Sequence, residues 1–426
     1  MDVLLVNLVV YILTSFFFLV RFRSINIYNV LWAGYTFTAI MAYYCVINGV
    51  YYNTDVELGY KVSIIPYIAN YLFTYIVLYP FLKYDTNKID WSVNKKKEKI
   101  VDTIITISTI AFAIYGILKA GDMVLAYQLG FNEIYEANHN DGINLLAHTN
   151  NLLALINDWG GSFYTVFRTL VIVLLILKLR RHKWKSTPLY ILLSLCFLPS
   201  LFASISMANR GGLFFLFSDM LFLYLILHNY FSKKVKKWLL IAFSLLLSVM
   251  IINAVVISES RFVENGSKKE TSFDATSRYF GEPMANLGDM YFEKVKNHPM
   301  GETFFPEFSN APSFKSLGEF FDYWNKRTGV DIDYMGTLFG DCYIQFGVIG
   351  AFIYMFFLSS LWRSLFFKYR WNYIPLIMYY FNTFGIGGMF GYGFYDKRAH
   401  FFFLLLVLIC LLAGGTTYKK KKNVYE

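Results

Sequence analysis

Apolar residues along this chain are gathered into long runs, separated by shorter polar stretches that are mostly basic. A membrane-spanning helix needs roughly 20 consecutive, mostly apolar residues. By that measure the chain reads as about eleven helices. They fall near 2–20, 26–50, 62–82, 100–118, 161–179, 188–207, 211–230, 238–257, 343–362, 372–391 and 397–415. Gly385, Gly387, Gly388, Gly391 and Gly393 interrupt the boundary between the last two. The N-terminus has neither a basic start nor a small-residue cleavage site, so the first run is expected to be a retained helix. The predicted fold class is an all-α polytopic membrane protein.

Composition strengthens this reading. The chain is 56% hydrophobic and 20% aromatic, with a mean hydropathy of +0.43. Its formal charge of +10 would suit a nucleic-acid binder if the charge were spread, but it is not. The basic residues cluster at Arg21/Arg23, Lys83 to Lys99, Lys178 to Lys185, Lys233 to Lys237, Arg363 to Arg370 and Lys419 to Lys422. These clusters fall on alternate loops, so all can lie in the cytoplasm with the N-terminus outside. The net charge is therefore an orientation signal and implies no nucleic-acid partner.

Two long segments, 119–160 and 258–341, then lie outside. Both are polar yet aromatic, and they read as ordered caps with short helices at the membrane surface. The chain divides into helices 1–4 (1–118), a first large loop (119–160), helices 5–8 (161–257), a second large loop (258–341), and helices 9–11 with a basic tail (342–426). Cys45, Cys196, Cys342 and Cys410 show neither metal spacing nor a disulfide framework and read as packing residues. There is no internal repeat, Walker loop or nucleotide fingerprint.

Charges close to hydrocarbon are costly, so they point to function or to a partner. Arg168 and Asp219 should lie at similar depth in helices that run the same way. They read either as an ion pair locking two helices or as a phosphate-binding arginine oriented from behind by the carboxylate. Arg210 sits in a polar hinge, Ala208-Asn209-Arg210-Gly211-Gly212. There it could snorkel to the headgroups as an anchor. Alternatively, Gly211 and Gly212 strip the helix start of side chains and leave free N–H groups beside a planar cation, an anion-friendly arrangement. The outer segments offer Arg261 and Arg278 as further cations. Glu282, Asp274, Asp289, His139 and His148 are candidate bases, while Asp341, Arg398 and His400 lie near outer helix ends. No two-His-plus-carboxylate spacing argues for a metal.

Three stretches together resemble a known family. They are Asn209-Arg210-Gly211-Gly212 opening an apolar helix, then Tyr279-Phe280-Gly281-Glu282-Pro283 with Asn297-His298-Pro299-Met300-Gly301-Glu302-Thr303, and last 336–350, which enters a helix straight after the long outer loop. The pattern is similar to that of bacterial oligosaccharide repeat-unit polymerases, the O-antigen (Wzy-type) polymerases, over roughly 204–355. The resemblance implies a GT-C-type fold in the inner membrane with its active face periplasmic. It implies a glycosyltransferase joining repeat units carried on undecaprenyl diphosphate, with no cofactor and no metal. Catalysis would fall to Arg210, Glu282 and His139. Arg168, Asn209, Gly211, Gly212, Arg261, Arg278, Asp341 and Arg398 would bind substrate. Expected partners are the lipid-linked oligosaccharides, membrane lipid and a chain-length regulator protein. An O-antigen ligase shares the fold type and donor, and a flippase of lipid-linked sugars is the non-enzymatic alternative.

Overall fold

The computed structural model describes residues 3–22, 26–50, 63–92, 98–130, 133–134, 146, 148, 150–206, 210–231, 233–262, 271–288, 292, 294–312, 314, 317–332, 336–390 and 397–413. Among the described residues the chain forms helices throughout, and an isolated bridge from Asp90 to Arg370 is the sole extended pairing. The helical bundle begins with α1 (Val3–Phe22), α2 (Ile27–Ile47), α3 (Ile65–Leu78) and α4 (Glu98–Leu129). It continues with α5 (Asn151–Arg181) and α6 (Thr187–Ser206), then α7 (Arg210–Leu227) and α8 (Lys233–Phe262). Two polar helices follow, α9 (Ser272–Asn286) and α10 (Leu317–Thr328), before α11 (Leu338–Phe366), α12 (Ile374–Tyr380) and α13 (Lys397–Ala413) close the fold.

Among the described residues seven helical segments are long and apolar enough to cross a membrane: α1, α2, the segment Ile65–Lys88 that α3 begins, α4 to α6, and α11. α7 and α13 carry shorter apolar stretches, Phe214–Leu227 and Arg398–Leu412. α8 is a 30-residue helix that contains the expected run 238–257. Two expected boundaries move. The run ending near 118 continues to Leu129, because the charges that break it are an i, i+3 pair buried against each other. Lys119 Nζ lies 2.7 Å from Asp122. The segment 372–391 is not one helix: α12 passes into a π turn at Phe381–Ile386 and a 3-10 turn at Gly387–Met389. Its glycines let neighbours come closer than a side chain would allow. A Cβ on Gly388 would lie 2.6 Å from the Tyr35 hydroxyl.

α5 is the central helix. Of its most apolar window 72% is buried, against 22% for α1, and it packs on α4, α6, α12 and α13. The basic loops meet at one end of the bundle. There Asp90 N donates to Tyr369 O at 2.7 Å and Trp371 N to Asp90 O at 3.1 Å. Arg181 pairs with Glu98 at 2.6 Å, and Arg180 lies over the Tyr230 ring at 4.8 Å. Loops far apart in sequence thus share one face, as alternating basic clusters require. The described parts of the second long segment, α9 and α10 among them, lie at the opposite, cap end.

Candidate functional site

Halfway down the bundle, four elements meet in a buried polar knot. Arg168 on α5 pairs with Asp219 on α7, and its other terminal nitrogen donates to the Ser200 hydroxyl on α6. Asp219 also accepts from Asn382 in the π turn after α12. The guanidinium lies 5.4 Å over the Tyr164 ring one turn earlier. The Tyr164 hydroxyl donates to Cys196 O at 2.7 Å, the carbonyl left open where α6 breaks before Pro199. Asp219 is fully buried and Arg168 nearly so. With both terminal nitrogens engaged, Arg168 ties α5, α6 and α7 together, the arrangement a buried cation needs.

At the cap end α9 lies across α1, α2 and α3. A capping box starts it: the Thr271 side chain accepts from Asp274 N, and the Asp274 carboxylate accepts from Thr271 N. Asp274 also accepts from Tyr44 on α2 at 2.9 Å. Burial pushes the Asp274 carboxyl up, but the Thr271 and Tyr44 hydrogen bonds outweigh it and hold it below its ordinary value. Farther along, Asn7 of α1 donates to Met284 Sδ at 3.1 Å, and Tyr67 of α3 donates to Ala285 O at 3.4 Å. Between them Gly281 meets α2 backbone to backbone. A Cβ there would lie 2.4 Å from both Ala42 N and Met41 C. Only glycine allows that approach.

This docking brings the family-like stretches together. Phe280 on α9 packs on Phe214 at 5.5 Å, one turn into the helix that Arg210 opens. Both rings contact Phe390 at 5.6 and 5.4 Å. Two residues before Phe390, Gly388 faces Leu338 at the start of α11. The glycine-rich turns after α12 are therefore the joint between the Arg210 helix, α9 and α11.

The stretch 297–303 docks on α11 itself. Gly347 (φ 67°) breaks that helix, and the carbonyls of Ile344 and Gln345 turn to new donors. His298 Nδ1 donates to Ile344 O at 2.9 Å, which fixes its tautomer, and Met300 N donates to Gln345 O at 2.8 Å. Thr303 N reaches Gln345 Oε1 at 3.4 Å. Glu302 takes a two-nitrogen contact from Arg327 of α10. Arg327, opposed by burial, holds the Glu302 carboxyl below its ordinary value.

The other expected site residues spread along this end. Arg210 begins α7, with Gly211 and Gly212 in its first turn. Arg261 lies in the last turn of α8. Arg278 and Glu282 are four residues apart on one face of α9, Arg278 buried and Glu282 half-buried. Asp341, in the first turn of α11, lines a small cavity together with Thr303, Trp324 and Gln345. Arg398 pairs with Asp158 of α5 at 2.7 Å, and His400 with Glu307 at 2.7 Å. His148 lies 3.3 Å from Asp122. His139, Asn209 and Asp289 lie outside the described residues. Sequence reasoning missed Ser200, Asn382 and the docking role of His298. The first two carried a readable signal, a polar side chain inside an apolar run. His298 stood in a family-like stretch, but its docking role was hidden, because its partner is a carbonyl exposed by a kink.

No protein-family model, no curated protein and no solved structure matches this chain. What is established is a polytopic, all-helical membrane protein with an ordered cap on the face opposite its basic loops.

Proposed function

We propose that the chain is a membrane glycosyltransferase that polymerises undecaprenyl-diphosphate-linked oligosaccharide units at the extracytoplasmic face of a bacterial inner membrane. The observation that carries this reading is the joint at Phe390, where α9 with its Arg278–Pro283 stretch packs against the helix that Arg210 opens. Residues some 70 positions apart in the sequence resemblance thus adjoin, at the level where a lipid headgroup would lie. Undecaprenyl diphosphate is already a good leaving group, so the protein's main task is to hold and neutralise it. Arg210 at a glycine-opened helix start, with Arg278 on α9, would supply cations and N–H donors. Glu282, one turn from Arg278, is the carboxylate best placed to take the proton from the acceptor hydroxyl. Arg168 is assigned to structure, since Asp219 and Ser200 occupy it.

The test is complementation of a deletion strain with wild type, Arg210→Lys or Arg210→Ala, with surface polysaccharide run on a gel. A single unpolymerised repeat unit is expected from Arg210→Ala, and little rescue from Arg210→Lys, since a point charge cannot make two parallel bonds to phosphate. A normal ladder from well-expressed Arg210→Ala would remove this residue from the mechanism. Polymer accumulating on its lipid carrier would instead identify a ligase.

A further inference from the structure

The segment Pro299 to Phe308 belongs to the long polar stretch between α9 and α10, yet it presents large apolar side chains outward. Phe308 is 83% exposed, Met300 73% and Phe305 40%. In a cap bathed by water, three such neighbours would form an unfavourable patch. Two observations place the segment elsewhere.

The first is depth. Phe304 and Phe305 meet the Tyr354 ring of α11 at 5.9 and 6.5 Å. Tyr354 precedes Arg363, at the basic end of α11, by nine residues, or about 14 Å along a helix. That is close to half of a hydrocarbon layer of about 30 Å. The segment enters at the level of Gln345, where Met300 N and Thr303 N are bonded, and its phenylalanines reach down towards Tyr354. The neighbouring faces of the spans are apolar and outward as well, at Ile349, Ile353, Phe401 and Leu404. Phe305 lies against His400 at the start of α13, with ring centroids 6.4 Å apart. The patch is therefore continuous with the lipid-facing belt of α11 and α13.

The second is backbone satisfaction. Non-helical backbone at membrane depth is tolerated only where it packs against protein with its polar groups paired, as this segment's does on α11. Here Met300 N donates to Gln345 O, Glu302 N to Pro299 O, and Phe304 N and Phe305 N both to Gly301 O. Phe308 N donates to Phe305 O. Residue 306 is proline and has no N–H to satisfy. Of the two carboxylates in the segment, Glu302 is paired with Arg327 and Glu307 with His400.

We infer that Pro299–Phe308 is a re-entrant hairpin lying against the outer leaflet, with Met300, Phe305 and Phe308 in contact with lipid acyl chains and Glu302 turned to Arg327 and the aqueous cap. It is hung on α11 by the carbonyls that the Gly347 kink exposes. The hairpin is a lipid-contact surface whatever reaction the protein performs, and its test needs no activity. The four native cysteines are buried, so a cysteine introduced at Phe308 can be spin-labelled in the full chain, in nanodiscs of phosphatidylethanolamine and phosphatidylglycerol. Labels at Ile353, facing lipid, and at Asp322, exposed on α10, are the references. Collision with dissolved oxygen should be favoured over collision with a water-soluble nickel chelate at Phe308→Cys, as at Ile353→Cys. A label at 308 that behaves like the one at 322 overturns the inference. If Phe308→Cys cannot be purified, Met300→Cys is read on the same scale and decides in its place.

Discussion

Two arginine–carboxylate pairs in different regions of this molecule have almost the same local design. In the bundle, Arg168 pairs with Asp219 and lies over Tyr164; in the cap, Arg327 pairs with Glu302 and lies over the Trp324 ring at 5.1 Å. Each guanidinium has both terminal nitrogens engaged, and each joins elements distant in sequence. What differs is the surroundings. Asp219 has no exposed side-chain surface and Arg168 has 10%, whereas Glu302 keeps 20% and Arg327 36%. Geometry alone therefore does not set what a pair contributes. Without water to re-solvate a stranded charge, the bundle pair becomes a structural obligation, while the cap pair is a tether that solvent can replace.

The largest effect should come from breaking the bundle pair on one side only. Asp219→Asn or Arg168→Gln leaves a buried charge without its partner, at a cost of about 3–5 kcal/mol. Thermal unfolding in detergent should show a large loss for each single variant. The double replacement Arg168→Met with Asp219→Leu should recover most of it, because apolar groups of similar volume need no partner. Single variants that melt like wild type would erase the contrast between the two regions.

A second expected effect separates packing from charge. Gly281→Ala places a methyl within 2.4 Å of α2 backbone atoms, which cannot rotate away, so α9 must lift. Overpacking of this kind costs about 1–3 kcal/mol. Gly34 is the control, since a Cβ there would meet the methyl of Met389 at 2.4 Å, the far end of a flexible side chain. Gly34→Ala should therefore cost less than Gly281→Ala in the same melting assay. Equal losses would show that α9 does not rest on α2 as closely as described.

The sequence exposed the bundle more fully than the cap, for a physical reason. Spans are written as runs of apolar residues, and depth can be counted at a fixed rise per residue. That counting brought Arg168 and Asp219 to the same level from sequence alone. The alternating basic clusters likewise fixed which loops would share a face. The counting failed where a charge was locally paired, as at Lys119 and Asp122, where the helix runs on. It failed again at Gly385 to Gly388, where the backbone changes pitch without leaving the helical region. The cap follows no such period. Its contacts depend on a glycine that lets two backbones meet, a kink that releases two carbonyls, and a hairpin whose apolar side chains look like any loop residues in one dimension.

The smallest expected effect tests the tether itself. Glu302→Gln removes the cap ion pair while keeping the side chain's size, and a half-exposed pair of this kind is worth no more than about 1 kcal/mol. Its signature lies in the pH dependence. Arg327 holds the Glu302 carboxyl below its ordinary value of 4.5, so the folded state binds this proton more weakly than the unfolded chain does. The stabilisation is therefore complete above pH 4.5 and is lost as pH falls through the lower, folded-state value. Wild type should melt slightly above Glu302→Gln near neutrality, with the gap closing in acid. Added salt should narrow the gap at neutral pH as well, since this pair is open to screening. The Arg168–Asp219 variants should show no such salt response. A gap that widens in acid would have the wrong sign and would remove the Arg327 contact as its cause.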